Sequence, residues 1–365
     1  MTAFIVAGRR TAVVPRGGAF STLSIESLGV PVITALLAEA GLDVGDVDEV
    51  ILSNALGAGG NPARRVALAA GLPERVAGLT IDRQCAGGLD AILLARALVN
   101  SGAAGVVIAG GVESYSRRPL RFATDPAGGT AVAYDQPPFT PWPDRDPGMA
   151  EAAEALALRL GIRRDQADAW AVASHGRALA AGRMAEIVTV AGQVTDPFAR
   201  DLTMSVAARA KVVVGAITAA NAAVAADGAA FVLVVSERMA AKRFSARRGL
   251  RIVAGATLGA DPEQPGLAPV AAISAVLAQA GVRASQLAVS EIMEAYAVQA
   301  IACATVAGLD PSRINPGGGA LARGHPIGAS GAVLAGRLYS DLTQGYGLAA
   351  IAAAGGIGTA LLVER

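Results

Sequence analysis

The chain repeats itself, and this limits its possible folds more than any other feature. Val47-Asp48-Glu49-Val50-Ile51-Leu52 has a counterpart in Leu287-Ala288-Val289-Ser290-Glu291-Ile292, each following an Ala-rich stretch that ends in Gly. Both are followed by Gly-Leu (Gly71-Leu72, Gly308-Leu309), an apolar run, a glycine-rich turn, a helix-like stretch and a further apolar run ending in Gly-Gly. Self-similarity of this length marks a duplicated structural unit. Apolar runs predict strands at 3–8, 49–55, 78–83, 105–111 and 230–236, then at 250–259, 290–295, 313–318, 348–354 and 359–364, separated mostly by helical spacing. Strands this apolar, alternating with helices, predict an α/β fold whose sheets are covered on both faces.

Residues 115–201 break the repeat. Their beginning is rich in Pro and Arg, including Pro137-Pro138 and Pro141-Trp142-Pro143, while 149–160 and 165–181 have helical spacing. This predicts a structured inserted loop domain. The expected division is therefore 1–114 with 202–245 as one half, 115–201 as the insertion, and 246–365 as the other half.

Composition removes several classes of function. Of 365 residues 53% are hydrophobic and 17% charged, with a net charge of +1 and no dense basic run. Disorder, nucleic-acid binding and membrane-surface binding are disfavoured, and no apolar stretch is long enough to span a membrane. The N-terminus lacks the charge order of a signal peptide, so a cytoplasmic location is expected. Lys211 and Lys242 are the only lysines, leaving a Schiff-base mechanism few candidates. The two cysteines, Cys85 and Cys303, and two histidines, His175 and His325, lack zinc-site spacing.

Cys85 lies in Asp82-Arg83-Gln84-Cys85-Ala86-Gly87-Gly88, where an apolar run turns into a helix, a position whose unpaired N–H groups favour a thiolate. The matching turn of the second repeat carries Gly324-His325-Pro326, and pseudo-symmetry predicts that the two turns face each other. A cysteine and a histidine so assembled are a nucleophile and its activating base. His175 is expected to be a solvated helix residue, and Cys303 a core residue of an apolar helix.

Cys85 with its glycines, Met293-Glu294-Ala295-Tyr296-Ala297, Gly324-His325-Pro326-Ile327-Gly328-Ala329-Ser330-Gly331 and Gly355-Gly356-Ile357-Gly358 together resemble the thiolases. Supporting matches run nearly end to end and include Pro62-Ala63-Arg64-Arg65, Ala109-Gly110-Gly111-Val112-Glu113-Ser114 and Asn221 through Asp227-Gly228-Ala229. The resemblance implies a duplicated five-layer α/β fold with two mixed sheets, a loop domain covering coenzyme A as substrate or product, no permanently bound cofactor, and a homodimer or homotetramer. It places the acylated nucleophile on Cys85, its base on His325, and an oxyanion hole on the backbone N–H groups of Cys85 and Ala354. Substrate-side positions fall on Met149, Met293, Ala223 and Gly324, with Ala223 where thiolases often have a Ser.

Two departures stand out. Ala352 occupies the place of the family's second cysteine, and Met293 that of the Asn or His before Glu-Ala-Phe. Alanine moves no proton and methionine donates no hydrogen bond. Acylation of Cys85 is thus expected to survive, while carbon–carbon bond formation and thiolysis are expected to suffer. Transfer to another acceptor or to water, and a non-catalytic acyl-CoA-binding subunit working with a partner protein, are the alternatives. Arg200, Arg209 and Lys211 are either contacts for coenzyme A phosphates or solvated surface charges.

Overall fold

A computed structural model describes residues 2–244 and 249–365; the expected boundary at 245–246 lies outside the described residues. The principal strands are β1 (Ala3–Thr11), β2 (Glu49–Ser53), β3 (Leu79–Ile81), β4 (Val106–Glu113), β5 (Ala226–Ser236), β6 (Leu250–Gly259), β7 (Leu287–Ile292), β8 (Tyr346–Ala353) and β9 (Ile357–Glu364). The principal helices are α1 (Ile25–Ala40), α2 (Pro62–Ala69), α3 (Gly87–Ser101), α4 (Met149–Leu160), α5 (Arg164–Ala181), α6 (Ala268–Ala280), α7 (Ala297–Val306) and α8 (Ile327–Asp341).

The duplication is visible in the strand order, β7-β8-β9-β6-β1-β5-β4-β2-β3. In the first half β1 runs antiparallel to β5, β5 antiparallel to β4, and β4 parallel to β2. In the second half β6, β9, β8 and β7 repeat those orientations in the same order. The two mixed sheets meet edge to edge where Phe4 pairs with Arg251 and Ile5 with Leu250. One expectation fails: residues 313–318 form no strand. Only Ile314 bridges to Ser290, at the place where β3 pairs with β2 in the first half.

Strand alternation builds five layers, because successive side chains leave a strand on opposite faces. From β4 and β5, Val106, Ile108, Phe231 and Leu233 face Leu28, Val32 and Leu36 of α1. Their neighbours Val107, Ala109, Val232 and Val234 face a central layer made of α3 and α8. That layer is covered on its other side by Ala349, Ile351, Leu361 and Val363, while Leu348, Ala350 and Leu362 face α6 and α7. Ser24 caps α1 by accepting from the Ser27 N–H, and Gly41 ends it in the left-handed region.

The insertion packs α4 and α5 against α7 through Leu156, Ala171 and Val298. Glu294, fully buried, pins it there: its carboxylate accepts from Trp170 Nε1 (3.1 Å) and Ser174 Oγ (2.7 Å) of α5, and from Asn315 Nδ2 (2.8 Å). No helix among the described residues is long and apolar enough to cross a membrane.

Candidate active site

The two turns that end at the central helices meet. After β3, the Asp82 carboxylate accepts from the Gln84 backbone N–H at 2.8 Å and from its side-chain amide at 3.3 Å. Gln84 is thereby held at φ 50, a left-handed conformation that few residues other than glycine adopt. Cys85 follows at once, in the single tight turn that leads into α3.

The second turn is fixed by its backbone. The His325 N–H donates to the Val224 carbonyl at 2.8 Å, and Pro326 caps α8. Close approach of the two central helices needs bare backbone. A β-carbon on Gly88 would overlap the Gly328 carbonyl and the Ala332 amide, and one on Gly331 would overlap the Leu89 amide. The result is His325 Nε2 at 3.2 Å from Cys85 Sγ. The opposing turns expected from the repeat are present.

A serine orients the imidazole. Ser330 Oγ lies 2.6 Å from His325 Nδ1 and also donates to the Pro326 carbonyl at 3.1 Å. A hydroxyl has one proton, so toward the ring it accepts, which places the ring proton on Nδ1 and leaves Nε2 as a base toward the sulfur. Glu113, also buried, secures the surroundings. It accepts from the Ala55 N–H (3.0 Å), the Gly328 N–H at the start of α8 (3.0 Å) and Asn54 Nδ2 (2.7 Å). Burial pushes its carboxyl up to about 7 against the pull of those donors. In the sequence, Ser330 and Glu113 are visible only within matching strings. The signal for Ser330 is its spacing, one helical turn into α8 with its hydroxyl facing back toward the residue before Pro326.

Ionisation departs from expectation. Burial pushes the Cys85 thiol up to about 12, with the negative charges of Glu113 and Asp82 acting in the same direction. The Cys85 and Ala354 backbone N–H groups oppose the shift, but do not overcome it. Burial alone takes His325 down to about 4. The pair therefore rests as neutral thiol and neutral imidazole: desolvation outweighs the helix N-terminus.

The pair opens into a cavity of about 450 Å³. Met149, Ala152, Ala153 and Leu156 of α4 form one wall; Ala223, Ala295 and Ala352 to Ala354 form another. Of the positions expected at the substrate, Met149, Ala223 and Ala352 line it. Met293 and Gly324 do not. Met293 is 1% exposed and packs in the central core with Leu334 and Ile351, because it continues the alternation of β7 toward that core. Gly324 is buried behind His325, where a β-carbon would crowd the Ala226 side chain.

Other expected residues separate likewise. Arg200 stacks on Phe198, and Arg209 and Lys211 are exposed; none of the three lines the cavity. His175 is not solvated: it is 1% exposed, lies against Phe198, accepts from the Arg200 backbone N–H at 3.3 Å, and is taken down to about 4 by burial. The segment around Phe198 covers the helix face that the sequence leaves open. Cys303 is fully buried in the outer core, as expected.

A duplicated α/β frame that aims a cysteine and a histidine from opposite repeats at one apolar cavity has the chemistry of nucleophilic acyl transfer. Comparison with known proteins supplies the family. Residues 3–238 match the model of the thiolase N-terminal domain, and residues 247–365 that of the thiolase C-terminal domain. A Bacillus subtilis (strain 168) protein provisionally named acetyl-CoA C-acetyltransferase YhfS is 40% identical, the match covering 100% of this chain and 99% of that one. Among solved structures, Bacillus anthracis acetyl-CoA acetyltransferase superposes with a TM-score of 0.92 at 32% identity, over 100% of this chain and 98% of that one. Acat5 thiolase from Ascaris suum, solved in complex with coenzyme A, gives 0.92 at 28% identity over 100% of both chains. The chain belongs to the thiolase family, a family of acyltransferase enzymes.

Proposed function

We propose that this enzyme moves acyl groups to and from coenzyme A through an acyl-Cys85 intermediate, with His325 taking and returning the thiol proton. The observation that carries this reading is the 3.2 Å contact between His325 Nε2 and Cys85 Sγ at the wall of the apolar cavity. Because thiol and imidazole both start neutral, the proton passes to Nε2 as the sulfur attacks the thioester carbonyl, and no standing thiolate is needed. Negative charge then develops on the carbonyl oxygen, for which the Cys85 and Ala354 N–H groups serve as donors. Residues 115–201 act as the loop domain that covers the ligand, with Met149 beside the substrate pocket and Ala223 on the pantetheine side.

Ala352 offers no acid or base, and Met293 faces away into the core. Carbon–carbon cleavage and condensation are therefore slower than acylation, and acyl groups that have lost their usual acceptor pass to water or to another nucleophile. The enzyme is cytoplasmic and acts as a homodimer or homotetramer. A 3-oxoacyl-CoA supplied with free coenzyme A tests the acceptor, with products separated chromatographically. Thiolysis yields a shortened acyl-CoA, hydrolysis of the acyl-enzyme yields free acid, and neither product from any of a broad panel of acyl chains defeats the proposal.

A further inference from the structure

The cavity beside Cys85 is lined mostly by apolar side chains, Ala223, Ala295 and Ala352 to Ala354 on one wall and Met149 and Leu156 on another, and Tyr296 brings a hydroxyl to it. Tyr296 stands at the start of α7 with extended backbone, pinned by the Ala297 N–H to the Asn221 carbonyl at 2.9 Å and by the Ala223 N–H to the Ala295 carbonyl at 2.9 Å. Its ring is half-buried against the loop-domain core and lines the same cavity as Cys85, His325 and Ala352. Its hydroxyl has no hydrogen-bond partner among the described residues. The other polar groups of the lining are engaged or exposed. Asp82 is engaged at both oxygens by Gln84, the Tyr115 ring lies under Arg16 and Arg118, and Tyr134 is exposed on a hairpin strand. The Gln299 side chain accepts from the Ala295 N–H, and an amide is not an acid.

Building on the acyl-Cys85 reading, we propose that the Tyr296 hydroxyl is the proton donor and acceptor at the carbon that leaves in cleavage of a 3-oxoacyl thioester. Cys85 Sγ bonds to the keto carbon and its proton goes to His325. The bond between that carbon and C2 breaks, and its electron pair goes to C2 as the enolate of the departing thioester. The Tyr296 O–H protonates C2 and becomes phenolate. An incoming coenzyme A thiol returns a proton to the phenolate as its sulfur attacks the acyl-Cys85 carbonyl. Cys85 leaves as thiolate and recovers its proton from the His325 imidazolium. Condensation runs the same steps backwards.

Electrostatics agree with the placement. Burial pushes the phenol up to about 12, and the charges of Glu151 and Cys85 act in the same direction. A phenol so shifted is fully protonated before cleavage and a strong base once it has given up its proton.

The test is Tyr296→Phe, which keeps the ring and removes only the hydroxyl. Acyl-Cys85 formation from acetyl-CoA, followed by intact mass, is expected to be unchanged. Release of shortened acyl-CoA, and exchange of the C2 protons of acetyl-CoA with deuterated water, are expected to fall by ~10²–10⁴-fold. Adding Ala352→Cys to that variant is expected to restore exchange in part, by supplying a thiol on the adjoining wall. Cleavage and exchange within tenfold of the parent enzyme in Tyr296→Phe would overturn the assignment, and so would a parent enzyme that acylates but neither cleaves nor exchanges. A parent enzyme that never acylates defeats the underlying reading instead.

Discussion

The two halves share one frame and put different things at the same corner of it. In the first, five residues join β3 to α3, and the strained Gln84 presents Cys85 at their end. In the second, where only Ile314 remains of the corresponding strand, a longer glycine-rich connection reaches α8 and carries His325, whose bracing serine stands in the first turn of that helix. The first turn thus supplies a reactive atom on a short rigid support, the second a base whose proton is steered by a neighbour. Duplication accounts for their meeting, since equivalent corners of the repeats converge on the central pair of helices. The division of labour comes from the side chains alone.

Removing the base should separate the halves most sharply. His325→Ala leaves the Cys85 turn unchanged, and Cys85 acylation by acetyl-CoA, followed by rapid quench and mass spectrometry, is expected to slow by ~10²–10⁴-fold. Acylation within tenfold of the parent rate would mean that the first turn acts alone. Ser330→Ala is milder: it strips the acceptor from the Nδ1–H and leaves a buried donor unpaired at a cost of about 1–3 kcal/mol. Acylation is expected to fall roughly 10–100-fold, and the acid limb of its pH profile should shift, which a purely structural defect would not produce.

The resting state gives a finer discrimination. With Cys85 at about 12 and His325 at about 4, both groups are neutral between those values. The thiolate fraction then rises about tenfold per pH unit up to the thiol's own pKa. Alkylation of Cys85 by iodoacetamide should accordingly climb through pH 6 to 9 without a plateau. A plateau near neutrality would show a thiolate stabilised by the helix, as the turn's position in the sequence leads one to expect.

That expectation fails for a reason general to this site. The repeat, the glycine-rich turns and the apolar runs are local patterns, so they reveal the halves, the central helices, and Cys85 facing His325. Desolvation is not local. The cavity around the sulfur is assembled from the Cys85 turn, α4, the start of α7 and the end of β8, and only together do they exclude enough water to hold the thiol protonated. Met293 fails similarly: its motif position places it near the site, but the alternation of β7 carries its side chain into the central core. His175 has a helical pattern that leaves its face open, and a distant segment around Phe198 closes it. Tyr296 is visible in the sequence only within a short motif, and its hydroxyl gains a role only once the fold places it on the wall of the cavity beside Cys85.

The most direct measurement follows the sulfur itself. After incubation with acetyl-CoA and acid quench, peptide mapping is expected to find one acetyl group, on the peptide containing Cys85, and to find it lost when free coenzyme A is added before the quench. An acetyl group on any other residue, or an unmodified Cys85 across short and medium acyl chains, would contradict the account.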